Sequence, residues 1–550
     1  MSRSYSRFSD AHFSARRRAP TPLLTLLPLA LALCAGFSNP AIAQRAAVKP
    51  PSRFAAPAAA PRPVLAPLDG IITLSPKLLM QLVVQRSAEV SFSKEQIDVA
   101  AQLSAAEEGI YEAVAYATAR QDGGPRQRTV EERIASISTS NQSILDERII
   151  AGEVGARTRL PTGADLSVAY RLRKRRNNII ASASPSDTEY DGAVTMSFKQ
   201  PLLKGRGRDV TETDLKVSRL ERRIALLQYQ QQLMKTGSDA LGVYWQLYRA
   251  IEVRQIRQLA LDYAHQVDND TGARIDAGKL AASNRLEARA AVLLREVELL
   301  RAEQGVREAE ARLATVLNVS SMNSTRLGLG VLANPAAFTV RDIGTAEQHY
   351  QRALDHWPAL GIARLRYEQA GLRLAYAKNQ SLPTLDLVLG HSNTGLANDN
   401  RIARELAEKG RYGGWSVGLN LEIPLEGNRR AQGQYNAQGA RVRQAEIEID
   451  SIRTALANDV RSRWEQVQGG QEEVARMNTD IGLRGELLRI EKVRYDSGLG
   501  QLSQLLQRES ELTESRQRQV ESNARLGQSH DALLAADGSL LDHYDISLKD

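Results

Sequence analysis

The residues able to do chemistry are few, and their spacing serves chemistry poorly. His349 and His356 stand seven apart on one predicted helix and could both ligate a metal. No carboxylate or thiol pattern completes a site around them, and Trp357-Pro358 breaks the helix there. The stretch KGRGR (204–208) carries glycines and opens a helix after a strand, but it has no lysine at the phosphate-loop position. There is no GxSxG and no cysteine–histidine pairing. The sole cysteine is Cys34. An enzyme is therefore not expected, and no catalytic residue, metal or cofactor is assigned. Nucleic acid is also excluded as a partner. The net charge of +8 is spread along the chain, and aromatics make up only 5% of it.

At 550 residues, with 42% hydrophobic and 25% charged, the chain reads as an ordered protein of more than one domain. Residues 1–43 read as a signal peptide. Arg16, Arg17 and Arg18 precede an apolar run from Leu23 to Ala35, and Ala41-Ile42-Ala43 supplies a cleavage site. Cys34 lies in a degenerate lipobox, LALC, where Leu33 stands in place of a small residue. A mature chain cut after Ala43 has no cysteine and so no disulfide. Residues 44–70 are an Ala/Pro-rich linker. No later segment has the apolar length of a membrane helix.

The elements around these residues come in duplicate. RIDAGKLAASNRLEAR (274–289) and RYDSGLGQLSQLLQRE (494–509) align without gaps at an offset of 220. Upstream, QPLLKGRGR (200–208) resembles IPLEGNRRA (423–431). We read two structural repeats, 71–319 and 338–540, joined by a linker at 320–337 and followed by a tail at 541–550. Stripes stepping by three and four predict long coiled-coil helices. They run through Val442, Ala445, Ile449, Ile452 and Leu456, through Leu286, Ala290, Leu293, Val297 and Leu300, and through Tyr244, Leu247, Tyr248 and Ile251. One helix should span about 208 to about 267. Gly278 and Gly498 mark the tips of two antiparallel hairpins.

Four segments alternate instead, at about 163–173, 192–200, 384–391 and 415–423. Leu166, Val168 and Tyr170 share one face of the first, and Val194, Met196 and Phe198 one face of the second. Leu385, Leu387 and Leu389 do so in the third, and Trp415, Val417, Leu419 and Leu421 in the fourth. Such strands either pack on helices in a soluble domain or cross a membrane with this face to lipid. The leader and the missing membrane helix favour lipid. Four strands cannot close a barrel, and an open edge cannot stay in hydrocarbon. Three copies would supply twelve strands, and the same ring would close the helices into a tube. The expected fold is thus mostly α with a small membrane β part. Duplicated coiled-coil hairpins form a trimeric α-barrel, and four strands per chain enter a shared twelve-stranded β-barrel.

These features together resemble the TolC-like outer membrane efflux family. The second half carries the likeness best, in the run 346–387, in GGWSVGLNLEIPLEG and in RYDSG. The resemblance covers about 71–540. It implies a homotrimeric tunnel in the outer membrane with a long periplasmic extension. A periplasmic adaptor and an inner-membrane transporter would dock on it, and the resemblance does not say whether that pump is of resistance-nodulation-division, ABC or major facilitator type. The alternative is a soluble periplasmic coiled-coil adaptor. The resemblance places adaptor docking at Gly278, Leu280, Ser283, Gly498, Leu499 and Ser503, although the glycines could serve the turn alone. It places a gate at Tyr495. Asn284, Gln504 and Gln507 stand where the family has acidic residues, and Gly500 where it has an arginine. A gate of neutral hydrogen bonds, weakly sensitive to pH and divalent cations, is expected. Arg171, Arg173, Lys174, Arg175 and Arg176 read as a basic turn between strands, either solvated or set to bind lipopolysaccharide phosphates.

Overall fold

The computed structural model describes residues 72–135, 143–183, 186–318, 329–331 and 343–546. The leader with Cys34, the linker 44–70, most of 320–337 and the end of the tail lie outside the described residues. The strands are β1 (Ile72–Leu74), β2 (Val114–Gln127), β3 (Ile144–Arg159), β4 (Asp165–Asn177), β5 (Thr188–Pro201), β6 (Leu329–Val331), β7 (Thr384–Ala397) and β8 (Gly413–Glu422). Besides single turns at Gly109–Tyr111 and Arg208–Thr211, the shorter helices are α1 (Pro76–Arg86), α2 (Ala88–Glu108), α3 (Val130–Ala135), α4 (Asn178–Ala183), α7 (Ala346–His356), α8 (Pro358–Gln380), α9 (Asn400–Glu408) and α12 (Leu540–His543). The long ones are α5 (Thr213–Asp276), α6 (Ser283–Val316), α10 (Arg429–Asp496) and α11 (Leu502–Ala536). Two compact units result, one of strands and one of helices.

The strand unit takes in Tyr111–Arg206 and Thr384–Glu422. Six strands, not the expected four, form one antiparallel sheet in the order β2-β3-β4-β5-β7-β8. The sequence conceals β2 and β3 because their alternation uses small residues. Ala115, Ala117 and Ala119 face one way, while Tyr116, Thr118 and Arg120 face the other. The helix α9 lies on this sheet. Its Asp399 cap accepts from the N–H groups of Arg401 and Ile402. Its fully buried Ala403 and Ala407 rest over Gly192 and Gly395, which are direct cross-strand partners. A Cβ at either glycine would meet the Ala403 carbonyl, so the glycines form the floor on which the helix sits.

The helical unit holds the hairpins α5–α6 and α10–α11. At 64 and 68 residues, α5 and α10 reach the tip glycines, and α5 runs past the expected end at about 267. At 1.5 Å per residue each is about 100 Å long. The helices lie in the order α6–α5–α11–α10, each packed on the next. Tyr244, Leu247 and Tyr248 of α5 are fully buried in the largest core, beside Trp245. Trp245 Nε1 donates to Asp531 Oδ2 at 2.8 Å, and the Tyr544 hydroxyl donates to Oδ1 at 2.7 Å. Trp357 ends α7 and Pro358 starts α8, as their types require. His349 is structural: its ring nitrogens lie 2.6 Å from Asp537 Oδ2 and 2.6 Å from the Ile343 carbonyl. Among the described residues no group of side chains could hold a metal ion.

One of the predicted coiled-coil stripes is left exposed in the single chain. In α6, Leu286 is 72% exposed and Leu293 and Leu300 are each 62% exposed. The face of α6 that is buried carries Ala288, Val292, Arg295 and Val306 instead. Helical periodicity identifies an apolar stripe but not what covers it.

Candidate functional site

The two hairpin tips are built from the same backbone bonds. At the first, the N–H groups of Ala277, Gly278 and Lys279 donate to the carbonyls of Ala273, Ile275 and Arg274. At the second, Ser497, Gly498 and Leu499 donate to Val493, Tyr495 and Arg494. Every donor and acceptor is displaced by 220, so the sequence repeat is a repeat of one helix stop. Gly278 and Gly498 have φ of +70° and +76°, and a Cβ on either would meet open space. Backbone conformation, not packing, calls for glycine there.

Beyond the stop the tips differ. Leu499 is 78% exposed, and Ser283 and Ser503 are exposed too. Leu280 instead packs onto the tip core of Val267, Ala288, Tyr495, Leu502 and Leu505. At Gly500 a Cβ would fall 2.8 Å from the Tyr495 nitrogen. A side chain there would force the backbone at Tyr495 to shift, which disfavours an arginine at this position.

Tyr495 is buried and ties the two hairpins together. Its hydroxyl lies 3.2 Å from Thr271 Oγ1 of α5. Arg274, also of α5, stacks over the ring at 4.7 Å, donates to the Tyr495 carbonyl at 2.9 Å and bonds Asp496 Oδ1 at 2.7 Å. The hydroxyl thus meets Thr271, not Asn284, Gln504 or Gln507. Gln504 is exposed, Asn284 is half-buried, and Gln507 donates to Glu511 on its own helix. Burial first, then the charges of Glu509, Asp496 and Asp270, push the neighbouring Tyr263 hydroxyl up to about 12. Farther along, buried Arg295 of α6 donates to Glu509 of α11 at 2.6 Å and to Glu298 at 2.8 Å. Sequence reasoning missed Thr271, Arg274 and Arg295. Arg274 was visible only as the repeat partner of Arg494, and that pairing says nothing of its contacts.

On the sheet, register puts the alternating apolar residues on one face. Leu166 pairs with Phe198, Val168 with Met196 and Tyr170 with Val194. Phe198 pairs with Leu389, Leu389 with Val417, Leu387 with Leu419 and Leu385 with Leu421. Trp415 is 80% exposed on this face. The basic run is corrected from a turn to part of β4, where it is matched across the ladder. Arg173 bonds Asp191 at 2.7 Å, Arg175 bonds Glu189 and Arg176 bonds Asp187.

The family model for outer membrane efflux protein matches residues 349–539. Over 314 residues the chain is 29% identical to Protein CyaE of Bordetella pertussis, covering 55% of this chain and 62% of CyaE. Over residues 349–539 this chain is thus similar to the outer membrane efflux proteins. It is also similar to the outer membrane efflux protein BepC of Brucella suis biovar 1, 22% identical over 48% of this chain and 55% of BepC. The sequence matches span less than two thirds of either relative. The likeness in fold extends farther. The outer-membrane channel OprN superposes with a TM-score of 0.60 at 16% identity, over 84% of this chain and 90% of OprN. No helix among the described residues is long and apolar enough to cross a membrane.

Proposed function

We propose that this chain is the outer-membrane exit channel of a tripartite efflux or secretion system. It conducts passively, and an adaptor and an inner-membrane pump supply cargo and energy. Three copies close a ring, and their sheets close a barrel in the outer membrane. The leader at 1–43 directs export, and the two repeats at 71–319 and 338–540 are the unit of construction. The exposed apolar residues of β4, β5, β7 and β8 face lipid. The exposed tip residues Gly278, Ser283, Gly498, Leu499 and Ser503 meet the adaptor, with Leu280 supporting them from the tip core. Tyr495 holds the tunnel mouth shut.

The observation that carries this reading is an apolar stripe left exposed on each of the two helices at the ends of the four-helix layer. On α6 the free stripe is Leu286, Leu293, Val297 and Leu300, and on α10 it is Leu483, Leu487, Ile490 and Val493. Each steps by three, four or seven, the spacing of a seam that wants a helix partner. The two stripes differ, so α6 of one copy meets α10 of the next. Contacts of this head-to-tail kind close into rings. A soluble adaptor would bury the apolar sheet face, which supports the channel reading over that one. The test is native mass in detergent of protein extracted from purified outer membrane. Three chains per particle are expected. A single chain, or release by salt alone, would overturn the proposal.

A further inference from the structure

We infer that the seam between copies in the barrel runs from β2 of one chain to β8 of the next, so that three chains close eighteen strands rather than twelve. This rests on the channel reading and goes beyond it.

The first observation is that β4 has no free edge. Every residue from Asp165 to Asn177 is paired with β3, and twelve of its residues pair with β5 on the other side. A twelve-stranded ring would have to strip β3 from β4. The free edges belong to β2 and β8. They are also the most exposed strands: all ten residues of β8 are exposed and nearly all of β2.

The second is that the extra hairpin continues the apolar face. One row crosses all six strands through Ala115, Ala156, Val168, Met196, His391 and Trp415. The next runs through Ala117, Val154, Tyr170, Val194, Asn393 and Gly413. On the opposite face Tyr116 donates to Glu153 at 2.9 Å, which locks β2 to β3 on the wet side. The hairpin therefore has the same dry and wet faces as the strands it extends.

The third is direction. Five successive antiparallel pairings leave β8 antiparallel to β2. A β2–β8 contact between copies continues the alternation without a parallel step, and the strand total stays even. The occupant of each edge is a second copy of this chain. Hydrocarbon leaves no other way to satisfy a row of free N–H and C=O groups. Barrel diameter grows roughly linearly with strand number, so the ring would be about 1.5 times as wide as one of twelve strands.

Paired cysteines test the seam in the full-length chain. Ala115→Cys, Ala117→Cys and Ala119→Cys on β2 are each combined with Val417→Cys or Leu419→Cys on β8. Val168→Cys and Tyr170→Cys on β4 are combined with the same β8 partners. Each double variant is compared with its single-cysteine parents, which controls for Cys34. After oxidation in outer membranes, at least one β2–β8 pair is expected to give dimer and trimer bands on a denaturing gel, and no β4–β8 pair should. Trimer bands from β4–β8 pairs would overturn the seam while leaving the channel standing. So would an absence of bands from both panels in protein whose native mass is three chains. A native mass of one chain would overturn the channel reading itself.

Discussion

Arg274 and Arg494 occupy equivalent places in the two repeats but have different partners. Arg494 reaches only Glu491 on its own helix, whereas Arg274 crosses to Tyr495 and Asp496 of the other hairpin. Arg274→Ala should therefore raise single-channel conductance in planar bilayers, and Arg494→Ala should not. Tyr495→Phe removes one bond to Thr271, worth about 1 kcal/mol, and should open the channel less than Arg274→Ala does. No histidine takes part in these contacts, so conductance should stay flat between about pH 5 and 8. A second residue-scale outcome concerns Asp537. Burial works to raise its pKa, but bonds from His349 and Ser539, with the Arg352 charge, outweigh it and hold the carboxyl below its usual range. A depressed folded value means that the stabilisation is full above the unfolded value of 3.8 and disappears as pH falls through the folded one. Asp537→Asn should destabilise the protein by about 3 kcal/mol at neutral pH. The gap in Tm from the parent should narrow below pH 3.8.

Among the elements, α9 depends most on what is absent beneath it. Gly395→Val would drive a side chain into the Ala403 carbonyl and the Leu406 Cβ. The helix should lift, and a cysteine at Ala403, unreactive in the parent, should label with a maleimide. The floor was not legible in the sequence, because Gly192 and Gly395 lie far apart in the chain and only strand pairing brings them together. The long helices were legible, because period and tip glycines agree over many turns. The strands β4, β5, β7 and β8 were legible through their large alternating side chains. The hairpin β2–β3 was not: Ala and Gly fill a pleat without announcing it, and Ile149-Ile150 breaks the alternation. At the tips the helix stops could be read directly. The partner of Tyr495 could not, since Thr271 has no counterpart in the motif that marks the turn.

In the proposed assembly, the free stripes on α6 and α10 make the single chain an incomplete object. Leu293→Glu with Val297→Glu places charges in one seam and leaves the buried face of α6 untouched. Native mass in detergent should fall from three chains to one, while the helical circular dichroism signal per residue is kept. The hairpin β2–β3 belongs to the first repeat alone. Among the described residues no matching pair precedes β7 in the second, so the two halves differ by one hairpin. In a ring of identical chains such a change is never local. One insertion in one gene is copied around the axis, and the circumference grows in steps of six strands. Pore calibre in such an assembly evolves by jumps, because its rim has no intermediate sizes.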